Sequence, residues 1–358
     1  MTPEEALARA EEAGIHRLRI PTPFAVGRVN CYLLEGEPLT LVDAGPNSGK
    51  ALDELEQQLA GLGHAIDDLG LIVVTHQHID HFGLVDIVAS RAGAEVAAID
   101  VVAPFLERYD SDAEREDEFA VELMIRYGIP EELVVPLRAV SRAFRGWGAP
   151  VNVTRGLADG ETLDIGDRSL EVQLRPGHSP SDTLFWDADR RILICADHLI
   201  GHISSNPLLA RPLDASNQAP QQRHGSASLR SASRDRPRSL MRYLESLRRT
   251  RELPAEVLLP GHGDPITDHV TLIDERFAMH LRRAEKLRRL IAERPRTAYE
   301  LAQELWGNVA VTQAFLTLSE VVGHVDLLIA EGFVREVSDG DLVRFEATGA
   351  GGEVTIPG

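Results

Sequence analysis

An apolar run, LGLIVVT, delivers the chain into the segment THQHIDH, where His76, His78, Asp80 and His81 fall within six consecutive positions. A buried strand that ends in four metal-ligating side chains needs further donors from elsewhere in the chain, and three other strand-like runs end the same way. LEVQLR ends at Pro176-Gly177-His178, RILICA at Asp197, and AEVLL at Pro260-Gly261-His262. A lone Pro-Gly-His is ordinarily a turn, and a lone strand-end aspartate ordinarily a cap. It is their shared position that argues for a site. Imidazole nitrogens and carboxylate oxygens are first-choice zinc ligands. Histidines at i and i+2 can reach one ion if the loop curls, leaving Asp80 and His81 to face a second. His76, His78 and His178 would then hold one ion and Asp80, His81 and His262 the other, with Asp197 bridging through its two oxygens.

The flanking pattern is α/β. The β-type runs HRLRIPTPFAV, NCYLLEG and LTLVDAG precede a helical pattern, SGKALDELEQQLAGLG, and the strand that carries the histidines. A helix, GLVDIVASRAG, and a strand, AEVAAID, follow it. Residues 104–145 form a helical insert with Phe119, Leu123, Met124 and Tyr127 at helical spacing, a stripe that suits packing onto the body of the catalytic domain. A hairpin approach at LADGETLDIGD and a hairpin from TLFWD to RILICAD continue the sheet. Residues 214–238, rich in Ser, Gln and Arg, read as a flexible loop beside the site. We place a catalytic domain at 1–280 and a second domain at 281–358. The second begins with a basic amphipathic helix, LRRAEKLRRLIAE. TAYELAQELWG follows, with Thr297 and Glu300 as a capping box. Then come a helix, SEVVGHVDLLIAEG, and two strands around Asp339-Gly340.

A chain of 358 residues, 43% hydrophobic, can bury a large core and form two domains. Its net charge of −19 argues against general polyanion binding. The acidic start, MTPEEALARAEEAG, lacks the basic and apolar regions of an export signal, and no run is long enough to span a membrane. Cys31 and Cys195 sit in apolar runs, as small buried residues would in a reducing cytoplasm.

THQHIDH, PGHS, CADH and PGHG, in this order and with LVDAG upstream, resemble the five-motif pattern of the metallo-β-lactamase superfamily over about residues 17–270. The resemblance implies an αββα sandwich with a dinuclear site at one edge, usually zinc. It also gives Asp43 a structural role, orienting the His loop through hydrogen bonds. The C-terminal elements resemble a winged helix found in one branch of these hydrolases, which includes acyl thioesterases and an endoribonuclease.

Two divalent ions, zinc first and Mn2+ or Fe2+ as alternatives, would supply hydroxide near pH 7 and polarise the attacked bond. Asp80 would be the catalytic carboxylate, orienting the nucleophile or taking its proton. The expected substrate is a small acyl compound, a thioester or other activated acyl, with coenzyme A or a carrier as candidate linkages. Cleavage of single-stranded RNA, or a metal-bound binding protein without turnover, are the alternatives. Nucleic acid is disfavoured because the presumed third helix of the second domain carries no Lys or Arg. We expect no membrane partner, and the second domain suits packing or homodimer formation. His198, His202, Ser204, Ser205 and Asn206, just past Asp197, are candidate substrate contacts.

Overall fold

A computed structural model of the chain describes residues 1–213 and 236–356. The expected loop at 214–238 lies, up to residue 235, outside the described residues. Two compact units are formed, one from residues 1–113, 144–205 and 250–272, the other from 114–143, 206–249 and 273–358.

The first unit holds two mixed sheets. One contains β1 (Ile15–Ile20), β2 (Val29–Leu34), β3 (Thr40–Val42), β4 (Leu71–Val74), β5 (Glu95–Ile99) and β6 (Arg155–Leu157), in that order. Its first three strands are antiparallel and the rest join in parallel. The other sheet runs β11-β10-β9-β8-β7, from β7 (Thr162–Ile165), β8 (Arg168–Leu174), β9 (Thr183–Asp187), β10 (Ile192–Ala196) and β11 (Val257–Pro260). Every residue of β2, β4, β9, β10 and β11 is buried. Strands covered on both faces lose the alternation of a half-exposed sheet and read as continuous apolar runs, which is why LIVV and ILICA look as they do.

β1 is shorter than its sequence run. It stops at Ile20, because Pro21 and Pro23 cannot continue donating to a ladder; residues 21–28 are instead a loop. β6, which pairs residue for residue with β5 through Leu157, was not anticipated, since the short polar run around Gly156 carries no strand signal. Among the described residues no helix is long and apolar enough to cross a membrane.

The second unit contains the helices Ala298–Trp306, Val309–Thr312 and Ala314–Ala330, most of Tyr109–Arg126, Glu131–Phe144, Ser239–Arg251 and His269–Glu293, and the hairpin of β12 (Val334–Asp339) and β13 (Leu342–Ala347). The capping box at Thr297 is present, with Thr297 N donating to Glu300 and Glu300 N to Thr297 Oγ1. The Phe119, Leu123, Met124 and Tyr127 stripe is buried as expected, but against a different partner. It shares one core with Leu287, Ile291, Leu301, Val321 and Phe345, so the insert groups with the C-terminal helices and the division differs from a cut at residue 280. An amphipathic stripe announces that a face is buried, not what covers it. Leu123 is fully buried in that core. Leu123→Ala is expected to cost about 2–5 kcal/mol, read as a shifted chemical denaturation midpoint of the second unit; an unchanged midpoint would contradict this packing.

Candidate metal centre

All seven expected donors converge in the first unit. His76 and His78 follow β4, and Asp80 and His81 lie on the single turn Ile79–Phe82. His178 follows β8, Asp197 follows β10, and His262 follows β11. His76 Nε2 lies 3.1 Å from His78 Nδ1, and His178 Nε2 lies 2.9 Å from the same atom. Asp80 Oδ2 is 3.3 Å from His262 Nε2. Asp197 faces both groups: Oδ2 is 3.5 Å from His178 Nε2 and 3.5 Å from His262 Nε2, and Oδ1 is 3.5 Å from His81 Nε2. Ligands about 2.0–2.1 Å from a tetrahedral ion stand roughly 3.3 Å from one another. The observed separations bracket that figure.

Tautomers support the same conclusion. Thr75 Oγ1 donates to Asp43 Oδ2 at 2.8 Å, so its oxygen accepts from His76 Nδ1 at 2.9 Å. His81 Nδ1 donates to Asp43 Oδ2 at 2.7 Å, and His262 Nδ1 to the Arg28 carbonyl at 2.9 Å. Each ring therefore turns its Nε2 inward, as metal-ligating histidines do. His78 Nδ1 can carry at most one proton, yet two ring nitrogens approach it. His81 Nε2, Asp197 Oδ1 and His262 Nε2 are buried and make no hydrogen bond among the described residues. Buried polar atoms are ordinarily satisfied; an ion at the convergence of these atoms would satisfy all of them.

The backbone is shaped to aim these groups. Asp43 sits at φ +59° and Ala196 at φ +43°, conformations that cost energy for residues with a Cβ and recur at functional sites. The pairing of β10 with β11 slips between Ile194 and Ala196, a bulge that re-aims Asp197. Gly261 must be glycine, since a Cβ there would lie 2.3 Å from Asp197 Oδ1 and 2.8 Å from His81 Cε1.

Electrostatics divide the donors. Burial pushes His78 down to about 3 and His76 well below its ordinary value, aided by the neighbouring histidines. These rings are neutral and ready to ligate at pH 7. For His81 and His262 burial pulls the same way, but it is outweighed, by Asp197 and Asp43 at His81 and by Asp197 and Asp80 at His262, so both are raised. Burial disfavours the ionised Asp80 and Asp197, yet the same histidines hold both carboxyls below the usual range.

The other expected residues are less uniform. Asp43 holds the orienting position described above. His198 is fully buried with Nε2 2.9 Å from Thr250 Oγ1, and offers a substrate no surface. His202 is exposed and lines a cavity with Arg28 and Gly263. Ser205 is buried and Ser204 half-buried. Asn206 belongs to the second unit, donating to the Leu316 carbonyl at 3.0 Å. Thr75, the Arg28 carbonyl and Ala196 escaped the sequence reading, since a hydroxyl beside a histidine, a main-chain oxygen and a left-handed alanine leave no letter pattern.

A third group, His280, Glu320 and His324, lies in the second unit. His324 Nδ1 donates to the Glu320 carbonyl at 2.6 Å, which leaves Nε2 to accept from His280 Nδ1 at 3.0 Å. Arg283 neutralises the Glu320 carboxylate at 2.6 Å. Proton sharing and an ion pair engage these groups, while the buried His280 Nε2 makes no hydrogen bond among the described residues.

The metallo-β-lactamase superfamily model matches residues 25–262. The chain belongs to that superfamily. It is 32% identical over 346 residues to the probable metallo-hydrolase YqjP of Bacillus subtilis, covering 97% of this chain and 99% of that one. Over 175 residues, 48% of this chain and 57% of the relative, it is 31% identical to the acyl-coenzyme A thioesterase MBLAC2 of Gallus gallus. A solved metallo-β-lactamase family protein of Thermus thermophilus superposes with TM-score 0.73 at 27% identity, covering 93% of this chain and 98% of that one. With this membership and donor set, the protein is a metal-dependent hydrolase.

Two outcomes are expected. Asp43→Ala, which frees the His76 and His81 rings, should weaken metal affinity about 10–100-fold, measured by competition with a chromogenic chelator; unchanged affinity would remove Asp43 from the support of the site. Metal entering the Asp80, His81 and His262 set must displace protons from His81 and His262, so affinity rises with pH until their raised pKa values are passed. Calorimetry at pH 7 in buffers of different ionisation enthalpy should show proton release, and identical heats in all buffers would contradict it.

Proposed function

We propose that the protein hydrolyses thioesters or other activated acyl bonds, with zinc as its metal. The observation that carries the acyl reading is the likeness of about half the chain to the acyl-coenzyme A thioesterase MBLAC2. A donor set of five imidazoles and two carboxylates suits zinc. Two divalent ions held by it would polarise the carbonyl and bring water's ionisation near neutrality.

The chain's own groups define the rest. Asp80, ionised beside His262, orients the attacking water and receives its proton. Asp197 is likewise held ionised, by His262 and His81. A thiol, with a pKa of about 8.5, leaves as thiolate far more readily than an alcohol or amine, so a thioester asks least of the site.

RNA cleavage is the weaker reading because the basic strip is largely spent inside the second unit. Arg283 pairs with Glu320, Arg288 and Arg289 with Glu285, Arg294 with Glu300, and Arg296 with Glu293 and Glu304. Phosphate binding needs uncommitted cations. On this reading the C-terminal elements form a winged helix used for packing, and the free, buried Cys31 and Cys195 fit a reducing cytoplasm.

The test is metal analysis of the purified protein alongside turnover of acyl-coenzyme A thioesters of several lengths, an aryl ester, a lactone and a short single-stranded RNA. Chelator-sensitive thioester hydrolysis, lost together with metal in Asp197→Ala, is the expected result. Cleavage of RNA alone, or a fully metallated protein inert to every substrate, would overturn the proposal.

A further inference from the structure

A cavity of about 480 Å3 lies beside His262, lined by Arg19, Gly27, Arg28, His202, Gly263 and Asp264 among others. This is within the range of small-molecule sites, about 300–1,000 Å3. Its walls are tied to the metal centre. The Arg28 carbonyl accepts from His262 Nδ1 at 2.9 Å, and Val29 bridges to His262. Asn30 Nδ2 and Arg17 donate to the Gly263 carbonyl at 2.9 and 3.1 Å. The His202 ring lies against Gly263, where a Cβ would come within 2.6 Å of Nδ1.

Two arginines and one carboxylate are among the residues that line this cavity. Asp264, the carboxylate among its lining residues, is paired at 3.2 Å with Arg17. Arg28 is held by donating to the Arg19 carbonyl at 2.6 Å and by Glu54 at 3.3 Å. Arg19 is exposed and forms no ion pair among the described residues. Arg19 and Arg28 also line an adjoining cavity of about 310 Å3, together with Arg17, Glu11 and Glu54. Arg19, which has no ion pair among the described residues, thus stands beside a second, fixed guanidinium on a protein of net charge −19. Guanidinium forks match planar and tetrahedral oxyanions.

We propose that Arg19 and Arg28, with His202 at the rim, receive the anionic end of the substrate, a phosphate or carboxylate group, while the scissile bond lies at the metal centre. This rests on the hydrolase reading above and narrows it to acyl compounds that carry negative charge away from the reacting carbonyl. A neutral acyl compound would leave Arg19 unmatched.

The test uses the zinc-loaded full chain and three thioesters of one acyl group, with coenzyme A (phosphates), glutathione (carboxylates) or N-acetylcysteamine (neutral) as the thiol. In Arg19→Gln the ratio of kcat/KM for a charged thioester to that for the neutral one should fall about tenfold, as expected when one charge-assisted contact is lost, and further in Arg19→Glu, with the change in KM rather than kcat. Loss confined to the coenzyme A ester identifies phosphate as the ligand; loss confined to the glutathione ester identifies carboxylate. An unchanged ratio overturns the receptor. If the wild type hydrolyses no thioester, the acyl reading fails, and calorimetric binding of free coenzyme A and of glutathione decides the receptor separately. Weaker binding of either to Arg19→Glu sustains it, and equal binding or none to both proteins overturns it.

Discussion

The Asp43 carboxylate is the interaction on which the centre depends. Oδ1 accepts from Thr75 N at 2.9 Å, while Oδ2 takes the Thr75 hydroxyl and His81 Nδ1. Through Thr75 it also fixes His76. One buried side chain thus sets the ring orientation of a ligand from each metal set, and both orientations would be lost if the carboxylate swung away. Its own position is secured by the left-handed turn after β3, where Asp43 N donates to the Val73 carbonyl and Ala44 N to the His81 carbonyl. The energetic cost of that turn is offset by these hydrogen bonds.

From this clamp the two sheets can be understood as devices for bringing strand ends to one edge. Thr183 N donates to the Thr75 carbonyl, tying the start of β9 to the His loop. Asn30 N donates to the Gly261 carbonyl, and Tyr32 and Asn30 side chains both donate to the Pro260 carbonyl, which ties β2 to the end of β11. Gly261 N donates to the Ala196 carbonyl at 2.8 Å. Donors contributed by distant parts of the chain therefore meet with little freedom, and a site preorganised in this way loses little entropy when it binds.

The donors were legible because their chemistry is written in residue type and each stands at the end of an apolar run. The α/β class followed from the same runs. What was not legible belongs to the backbone or to long-range packing. Ala196 gives no hint of a positive φ or of the bulge before Asp197. The Arg28 carbonyl could have been any residue's. The stripe from Phe119 to Tyr127 promised burial, but Leu287, Val321 and Phe345 as its neighbours are fixed by tertiary structure alone. His198 shows the opposite failure: its place next to a ligand suggested substrate contact, whereas its pairing with Thr250, fifty-two positions away, could be seen only in the fold.

The charge balance explains how such a centre is compatible with a buried interior. Asp43, Asp80 and Asp197 are all buried, and uncompensated carboxylates there would be strongly destabilising. In the chain itself the compensation comes from His81 and His262, whose affinity for protons is raised by these same carboxylates. Divalent ions would take over that compensation as the protons leave. One positive arrangement replaces another in the same place, so the surrounding hydrogen bonds need not rearrange. His76 and His78, kept neutral by burial, present lone pairs from the outset. The two halves of the centre thus differ in what an ion must displace, and the difference originates in which histidines face a carboxylate and which face one another.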